Sequence, residues 1–576
     1  MDQALQAPES EAIPIVWSIA GNDSGGGAGL SADQRAAAAL GVHLCPVVAA
    51  LTAQNSVGVA RVEPVAPDLL DAQLAALAGD MPPRAIKTGL LGSAENVAVV
   101  ARWVDRLRQR EPVALVVDPV LGASTGVAFA DDAVLRAYRE LLLPRATLVT
   151  PNEGEARRLL GEGGAAGQPL TPALSPEGRG GNSPTPDRRP LPSGERAGVR
   201  GQPAIGIPAL ARTLRALGPA AVAITGGDSA HVPGLALDWI ETAHARGWLA
   251  LPRVDSPHTH GTGCTFAASA ASALALGFVV ADALVLAKMA TTHAIAHGHA
   301  AGQGAGPVAA RPGFAVQPGR MPALSWDECF DMNSCQRLLD KRCSPISFEN
   351  SDLGLYAIVD SAERVQQVLA AGVRTVQLRI KTPDATLRAS VNQALAACRA
   401  AGAILVVNDH WRLAAELAAG DARHVAVHLG QEDLLALGTA GRAELAASGL
   451  RLGISSHSLW ELARARALAP WYVACGPVWP TLTKAMPWRP QGLDNLAWWV
   501  RTAGAPVVAI GGILEHAQAE QAARSGAAGV CVVRGLGDVP AQTVPAWQAA
   551  IARGRAAPRL PVPALPHPSL AEPMTP

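Results

Sequence analysis

Residues 16–39 read VWSIAGNDSGGGAGLSADQRAAAA. An apolar run passes into a loop with five glycines between 21 and 29, then into small residues free of Gly and Pro. This is the pattern of a strand, a loop and a helix. Glycine lets a ligand come close to the backbone, and the amides that open a helix attract an anion. A tight turn would account for the same loop, so its neighbours decide. Outward from it, VVAALTAQN (47–55), AIKTGLLG (85–92), VALVVDPV (113–120) and TLVTPN (147–152) read as strands. DLLDAQLAALAGD (68–80) and AENVAVVARWVDRLRQR (94–110) read as helices between them. Strands without in/out alternation, separated by helices, predict a mostly parallel sheet covered on both faces.

Residues 161–203 break this rhythm with Gly, Pro, Ser and Arg and no periodicity. We expect a disordered surface insertion. The pattern resumes at ALARTLRALG (209–218) and AAVAITGG (220–227), so the insertion interrupts one domain, 14–310. Residues 311–351 read as a linker; the spacing of Cys329, Cys335 and Cys343 matches no zinc pattern. A second domain, 352–553, repeats a strand eight times: LYAIV, TVQLR, ILVVND, HVAVHLG, LRLGISS, YVACGPV, VVAIGG and GVCVVRG. Eight β/α units in roughly 200 residues predict a closed (β/α)8 barrel. The tail, 554–576, is Pro-rich and expected to fray.

The whole chain fits this division. Its 576 residues are too many for one ordinary core, and 49% apolar with 17% charged residues is a globular composition. Acidic and basic residues are equal at 48 each, which argues against nucleic acid or an anionic membrane as partner. No apolar run reaches the roughly 20 residues of a membrane span, and the polar N-terminus lacks a signal-peptide core. Eight cysteines without a CxxC pair fit free thiols in a reducing cytoplasm. Only five of the 48 basic residues are lysines: Lys87, Lys288, Lys341, Lys381 and Lys484. A lysine that persists among arginines marks a place where a compact ammonium is needed, or it persists by chance.

Two groups of residues carry chemistry. In the first domain a second glycine loop, Gly261-Thr262-Gly263-Cys264, opens a small-residue helix. A thiol there is expected to have a lowered pKa and to act as a base. Asp118 ends one strand, and Asn152 and Glu155 follow another. In the second domain the strand ends carry Gln377, Arg379 and Lys381; Asn408 and Asp409; Asp433; Ser455; Thr481, Thr483 and Lys484; and Gly512. Catalytic groups of such barrels gather at that rim. Asp409 and Asp433 suit magnesium, and the cations and threonines suit a diphosphate.

The motifs AGNDSGGGAGLSAD, LTAQNS, IKTGLLG, VVDPVL, LVTPNEGEA and HTHGTGCTF resemble hydroxymethylpyrimidine/phosphomethylpyrimidine kinases of the ribokinase-like superfamily. The resemblance implies an α/β/α sandwich that uses ATP. It puts Asp33 and Gln54 at the pyrimidine, and Cys264 where sugar kinases carry an aspartate base. It puts Asn152 and Glu155 around magnesium, and Asp118, Gly261 and Gly263 near the phosphates. Pyridoxal kinase is the nearest competitor, and GTGC in place of GTGD argues against it. Thr225 departs from a lysine that many relatives carry.

QLRIK, HLGQED, GISSH, PTLTKAMPWRPQGL and AIGGI resemble thiamin-phosphate synthase over most of 354–535. That resemblance implies that hydroxymethylpyrimidine diphosphate binds Gln377, Arg379, Lys381, Asn408, Ser455 and Lys484. Magnesium would bind Asp409 and Asp433, and thiazole phosphate Thr481, Thr483, Gly512 and Val533. Cys264 and Lys484 would be the catalytic groups of the two halves. The implied partners are these small molecules, without nucleic acid or membrane; self-association stays open. The alternatives are a pyridoxal-type kinase, or a non-catalytic pyrimidine-binding domain, fused to an active synthase.

Overall fold

The computed structural model describes residues 12–122, 129–162, 206–226, 232–328, 352–418, 422–481 and 487–570. The first domain is built on ten strands: β1 (Ile15–Asn22), β2 (His43–Gln54), β3 (Val59–Pro64), β4 (Ala85–Thr88), β5 (Ala114–Val117), β6 (Leu148–Val149), β7 (Val222–Gly226), β8 (Leu235–Glu241), β9 (Arg246–Pro252) and β10 (Ala323–Leu324). Their order is β10-β9-β8-β7-β6-β5-β4-β1-β2-β3. The six central strands, β7-β6-β5-β4-β1-β2, are parallel. β4 and β5 are buried at every position, as expected of strands covered on both faces. The edges are antiparallel: β3 on one side, and β8, β9 and β10 on the other.

One face is covered by helices such as Ala94–Arg108. Ser93 Oγ caps it by accepting from Asn96 N at 3.2 Å, and Arg106 and Arg108 sit in its last turn. The other face is covered by Thr262–Ala275 and Val280–Ala296, which are buried almost throughout. Their alanines let the two helices pack closely.

The second domain is a closed barrel of eight parallel strands: β11 (Gly354–Val359), β12 (Thr375–Leu378), β13 (Ile404–Asn408), β14 (Val425–Leu429), β15 (Arg451–Ser456), β16 (Tyr472–Cys475), β17 (Val507–Ala509) and β18 (Gly529–Val532). β18 pairs back to β11 and removes the edge. All eight expected strands form within a few residues of their predicted bounds.

Two expected boundaries are corrected. The first domain does not end at 310. Phe314, Ala315 and Met321 are fully buried, and Ala323–Leu324 adds β10 to the edge of β9. A few well-spaced apolar residues anchor a segment whose composition reads as linker. The tail after 554 does not fray at once. The last helix runs Pro540–Ala556, and residues up to Leu570 lie against the barrel. Arg489 N donates to Ser569 O at 2.8 Å. His567 N donates to Asn495 Oδ1 at 2.8 Å, and Asn495 Nδ2 donates back to His567 O at 3.0 Å. One asparagine thus satisfies both main-chain groups of a segment whose prolines leave few amides to pair.

The insertion call at 161–203, beyond residue 162, and Cys329, Cys335 and Cys343 lie outside the described residues. The five described cysteines are free thiols.

The two domains meet at the helix Leu459–Ala467. Asp282, at the start of Val280–Ala296, accepts from Trp460 N at 2.9 Å. Trp326 Nε1 donates to Arg464 O at 2.9 Å, and Arg442 pairs with Asp327 at 2.6 Å. Among the described residues, no helix is long and apolar enough to cross a membrane.

Candidate active sites

The first glycine loop winds around one carboxylate. Asp23 accepts from the amides of Gly25 (2.8 Å), Gly27 (3.0 Å) and Ala28 (2.8 Å). His260 Nε2 lies 2.9 Å from the same carboxylate. His260 precedes the second loop, so the two loops close on each other. Gly261 has φ +86, and a Cβ there would collide with Gly27 O. A Cβ on Gly27 would collide with the His260 ring. Gln54 Nε2, at the end of β2, reaches 3.4 Å from His260 Nε2. The structure therefore brings Gln54, Gly261, Gly263 and Cys264 to one mouth. Asp23 and His260 were not among the predicted site residues, although both lie inside quoted motifs.

Asp33 lies beneath that mouth, near enough for its charge to act on Cys264. It is fully buried, accepting from Ser18 Oγ at 2.6 Å and from Lys87 Nζ at 3.0 and 3.1 Å. Its oxygens are bonded to Ser18 and Lys87, so at rest it is the counter-ion of a buried lysine. Lys87 Nζ also lies 3.6 Å from Asp118 Oδ2. Burial works against the charge on Lys87, but Asp33, Cys264 and Asp118 together offset it and hold the ammonium above its usual range. Asp118 is pushed up to about 6 by burial, with Lys87 pulling the other way. Its Oδ2 has no hydrogen-bond partner among the described residues.

Lys288 is a second buried lysine. It pairs with Asp238 at 2.7 Å, and Asp238 stands opposite Thr225 in the sheet. At both buried positions a compact ammonium fits where a guanidinium would be too wide. Lys87→Met would strand Asp33 as an unpaired buried charge. Its cost is expected to be about 3–5 kcal/mol, read as a shift in the denaturation midpoint of the full chain.

Cys264 sits in the first turn of Thr262–Ala275, as expected, but its thiol is not activated at rest. Burial pushes it up to about 12. Lys87 and the Gly29 amide pull it down, while Asp33 and Asp118 push it further up. Desolvation thus outweighs the helix terminus.

Asn152 and Glu155 form a capping box on the helix Glu153–Leu159, each accepting the other's backbone amide at 2.9 Å. Glu155 is pushed up to about 8, by burial and then by the charge of Asp118. Asn152, Glu155 and Asp118 therefore lie close together.

At the barrel rim, Gln377 and Asn408 end β12 and β13. Both are buried, and Gln377 Nε2 donates to Asn408 Oδ1 at 3.4 Å. Arg379 and Lys381 follow as exposed cations. Asp409 takes a left-handed backbone, φ 65, which aspartate tolerates. Burial and then the charge of Asp433 raise its carboxyl, with His410 and Arg379 opposing. Asp433 lies in the first turn of the helix Gln431–Ala436 and accepts from Gly430 N at 3.0 Å. Two like charges set side by side on an open rim form a donor set that fits a hard divalent cation.

Ser455 ends β15, with Oγ 2.8 Å from His428 Nε2. His428 is pushed down to about 4 by burial, then by Arg379 and His457, so it is neutral at pH 7. Gly512 has φ 74, and Trp479 fills the space a Cβ would need. Val533 is 45% exposed and Thr481 is half-buried. Thr483 and Lys484 lie outside the described residues. The described rim residues thus lie at or just beyond the C-terminal ends of the strands; the histidine behind Ser455 was missed.

Known proteins divide the chain in the same way. The phosphomethylpyrimidine kinase family model matches residues 23–170 and 203–309, and the thiamine monophosphate synthase model matches 355–536. The hydroxymethylpyrimidine/phosphomethylpyrimidine kinase of Synechococcus elongatus is 37% identical, over 52% of this chain and 97% of that one. A thiamine-phosphate synthase of Rhizobium etli is 50% identical, over 27% of this chain and 74% of that one. The chloroplastic thiamine biosynthetic bifunctional enzyme of Arabidopsis thaliana is 30% identical, over 87% of this chain and 85% of that one.

A ribokinase-like kinase domain joined to a barrel synthase makes this a two-site enzyme. The chain belongs to the family of bifunctional thiamine biosynthetic enzymes.

Proposed function

We propose that the first domain uses ATP to phosphorylate 4-amino-5-hydroxymethyl-2-methylpyrimidine and then its monophosphate. The barrel then joins the diphosphate to 4-methyl-5-(2-phosphoethyl)thiazole, giving thiamin phosphate and pyrophosphate in the cytoplasm. The observation that carries this reading is the closure of two glycine loops through Asp23 and His260 in one domain, beside a barrel rim that gathers Gln377, Asn408, Asp409, Asp433 and Ser455.

In the kinase, the amides that open Thr262–Ala275 would receive the transferring phosphoryl group. Gln54 would hold the pyrimidine, and the closed loops would exclude water. In the synthase, the buried Gln377 and Asn408 amides would read the aminopyrimidine edge. Arg379 and Lys381 would hold the diphosphate. Asp409 and Asp433 would hold magnesium, which neutralises charge on departing pyrophosphate when bound. The electron-rich aminopyrimidine carries positive charge at its methylene as that bond breaks, so the chain's own work is to position the thiazole nitrogen and keep water away.

The test is ATP consumption by the full chain with hydroxymethylpyrimidine against pyridoxal. Turnover on the pyrimidine supports the reading. Preference for pyridoxal would replace the kinase substrate. Binding of the pyrimidine without turnover would make the first domain a binding module.

A further inference from the structure

The interior of the barrel carries a file of four polar side chains. Tyr356 Oη lies 2.7 Å from Tyr472 Oη, Tyr472 Oη lies 2.8 Å from His428 Nδ1, and His428 Nε2 lies 2.8 Å from Ser455 Oγ. The four come from β11, β16, β14 and β15. Barrels of this type usually fill that space with branched apolar residues. Here both tyrosines are at most 2% exposed and sit among Leu353, Val406, Ala426 and Val508. The arrangement is built in. Tyr472 stacks on the His428 ring, and the phenol lies where a Cβ on Gly453 would collide with it.

Each hydroxyl has one proton, so the file has a direction. Tyr356 has no hydrogen-bond partner other than Tyr472 among the described residues. Were Tyr356 the acceptor, its own O–H would be buried with nothing to accept it, a costly state. Tyr356 therefore donates to Tyr472, and Tyr472 donates on to His428 Nδ1. With Nδ1 accepting, the proton of the neutral ring sits on Nε2 and is given to Ser455 Oγ. A charged imidazole would donate from both nitrogens, turn the Tyr472 link around and leave a phenol proton without an acceptor. Ser455, already an acceptor, keeps its own proton to give.

We infer that this file fixes Ser455 as a hydrogen-bond donor to the pyrimidine diphosphate, toward a ring nitrogen or a phosphate oxygen, and makes Tyr472 a positioning residue for the synthase reaction. The inference rests on the reading that Ser455 contacts that substrate. Without Tyr472 the imidazole can carry its proton on Nδ1, and Ser455 then spends its proton on Nε2.

The experiment uses the full chain. Pyrophosphate release is measured for Ser455→Ala, Tyr472→Phe and the double variant, with kinase turnover in parallel. Each single change is expected to raise KM for hydroxymethylpyrimidine diphosphate roughly tenfold, as for one neutral hydrogen bond. KM for thiazole phosphate and the kinase rate should stay as they are. The double variant should be no worse than Ser455→Ala, because both act through one proton. Additive losses would overturn the inference. A normal KM for Ser455→Ala would instead overturn the reading that Ser455 touches the substrate. ¹⁵N-histidine spectra of the unaltered protein, with His428 assigned by its loss in His428→Gln, should show the proton on Nε2 from about pH 6 to 8. A proton on Nδ1 would overturn the direction of the file, whether or not Tyr472→Phe folds.

Discussion

Asp433→Ala, and equally Asp409→Ala, is expected to lower synthase turnover by at least about 10²-fold, the loss typical of one preorganised electrostatic group. Asp409 is held at the end of β13 in a left-handed backbone, and Asp433 by its bond to Gly430 N in the first turn of the next β/α unit. The strands β13 and β14 pair side by side, which sets the carboxylates near enough for one to raise the other. A departing diphosphate develops charge in the transition state, so losing a carboxylate should reduce turnover more than substrate binding. Excess magnesium should restore part of the rate. The assay is pyrophosphate release from supplied hydroxymethylpyrimidine diphosphate and thiazole phosphate, with the kinase measured beside it. Normal release by Asp433→Ala would remove the assignment, and an equal fall in kinase rate would mean general damage.

Cys264→Ala should lower kinase turnover by about 10²-fold or more, as for loss of a general base, and leave the synthase unchanged. With the thiol pushed up to about 12, the thiolate is the minor form at neutral pH. A base working through that minor form gains population as pH rises, so parental kinase turnover should climb between about pH 7 and 9 and not level off. The climb should vanish in Cys264→Ala. Cys45→Ala removes a thiol buried in β2, away from the glycine loops, and should leave both behaviours in place. If the two cysteine variants match in rate and pH profile, transfer depends on positioning alone.

Much of this architecture is legible in the chain because its signals are local. Each barrel strand is a short apolar run between helices, and the rim residues lie at the end of one or within a few residues after it. The two glycine loops announce themselves, although not that they close through His260 and Asp23. What is not legible depends on partners far apart in sequence. Asp33 and Lys87 are 54 residues apart, so nothing local says that they cancel each other in the core. The file ending at Ser455 draws one residue from each of four strands. The rule that a helix terminus lowers a thiol pKa is sound locally, but burial outweighs it at Cys264. The tail reads as frayed because the asparagine that receives it, Asn495, belongs to another element.

The junction at Leu459–Ala467 has a consequence for how the molecule comes apart. Asp282 belongs to the kinase domain yet spends its carboxylate on an amide of the barrel. Trp326 and Asp327 make the same crossing toward Arg464 and Arg442. Detaching either domain would break these bonds and open an apolar seam to water. Neither half should then melt first and leave its neighbour intact. Heating the full chain should give a single calorimetric transition that both activities follow, whereas two resolved transitions would mean that the contacts at this seam are energetically idle. If the transition is single, a lesion that softens the kinase core, such as loss of Lys87, will shorten the lifetime of the synthase as well, and the two catalysts will age together.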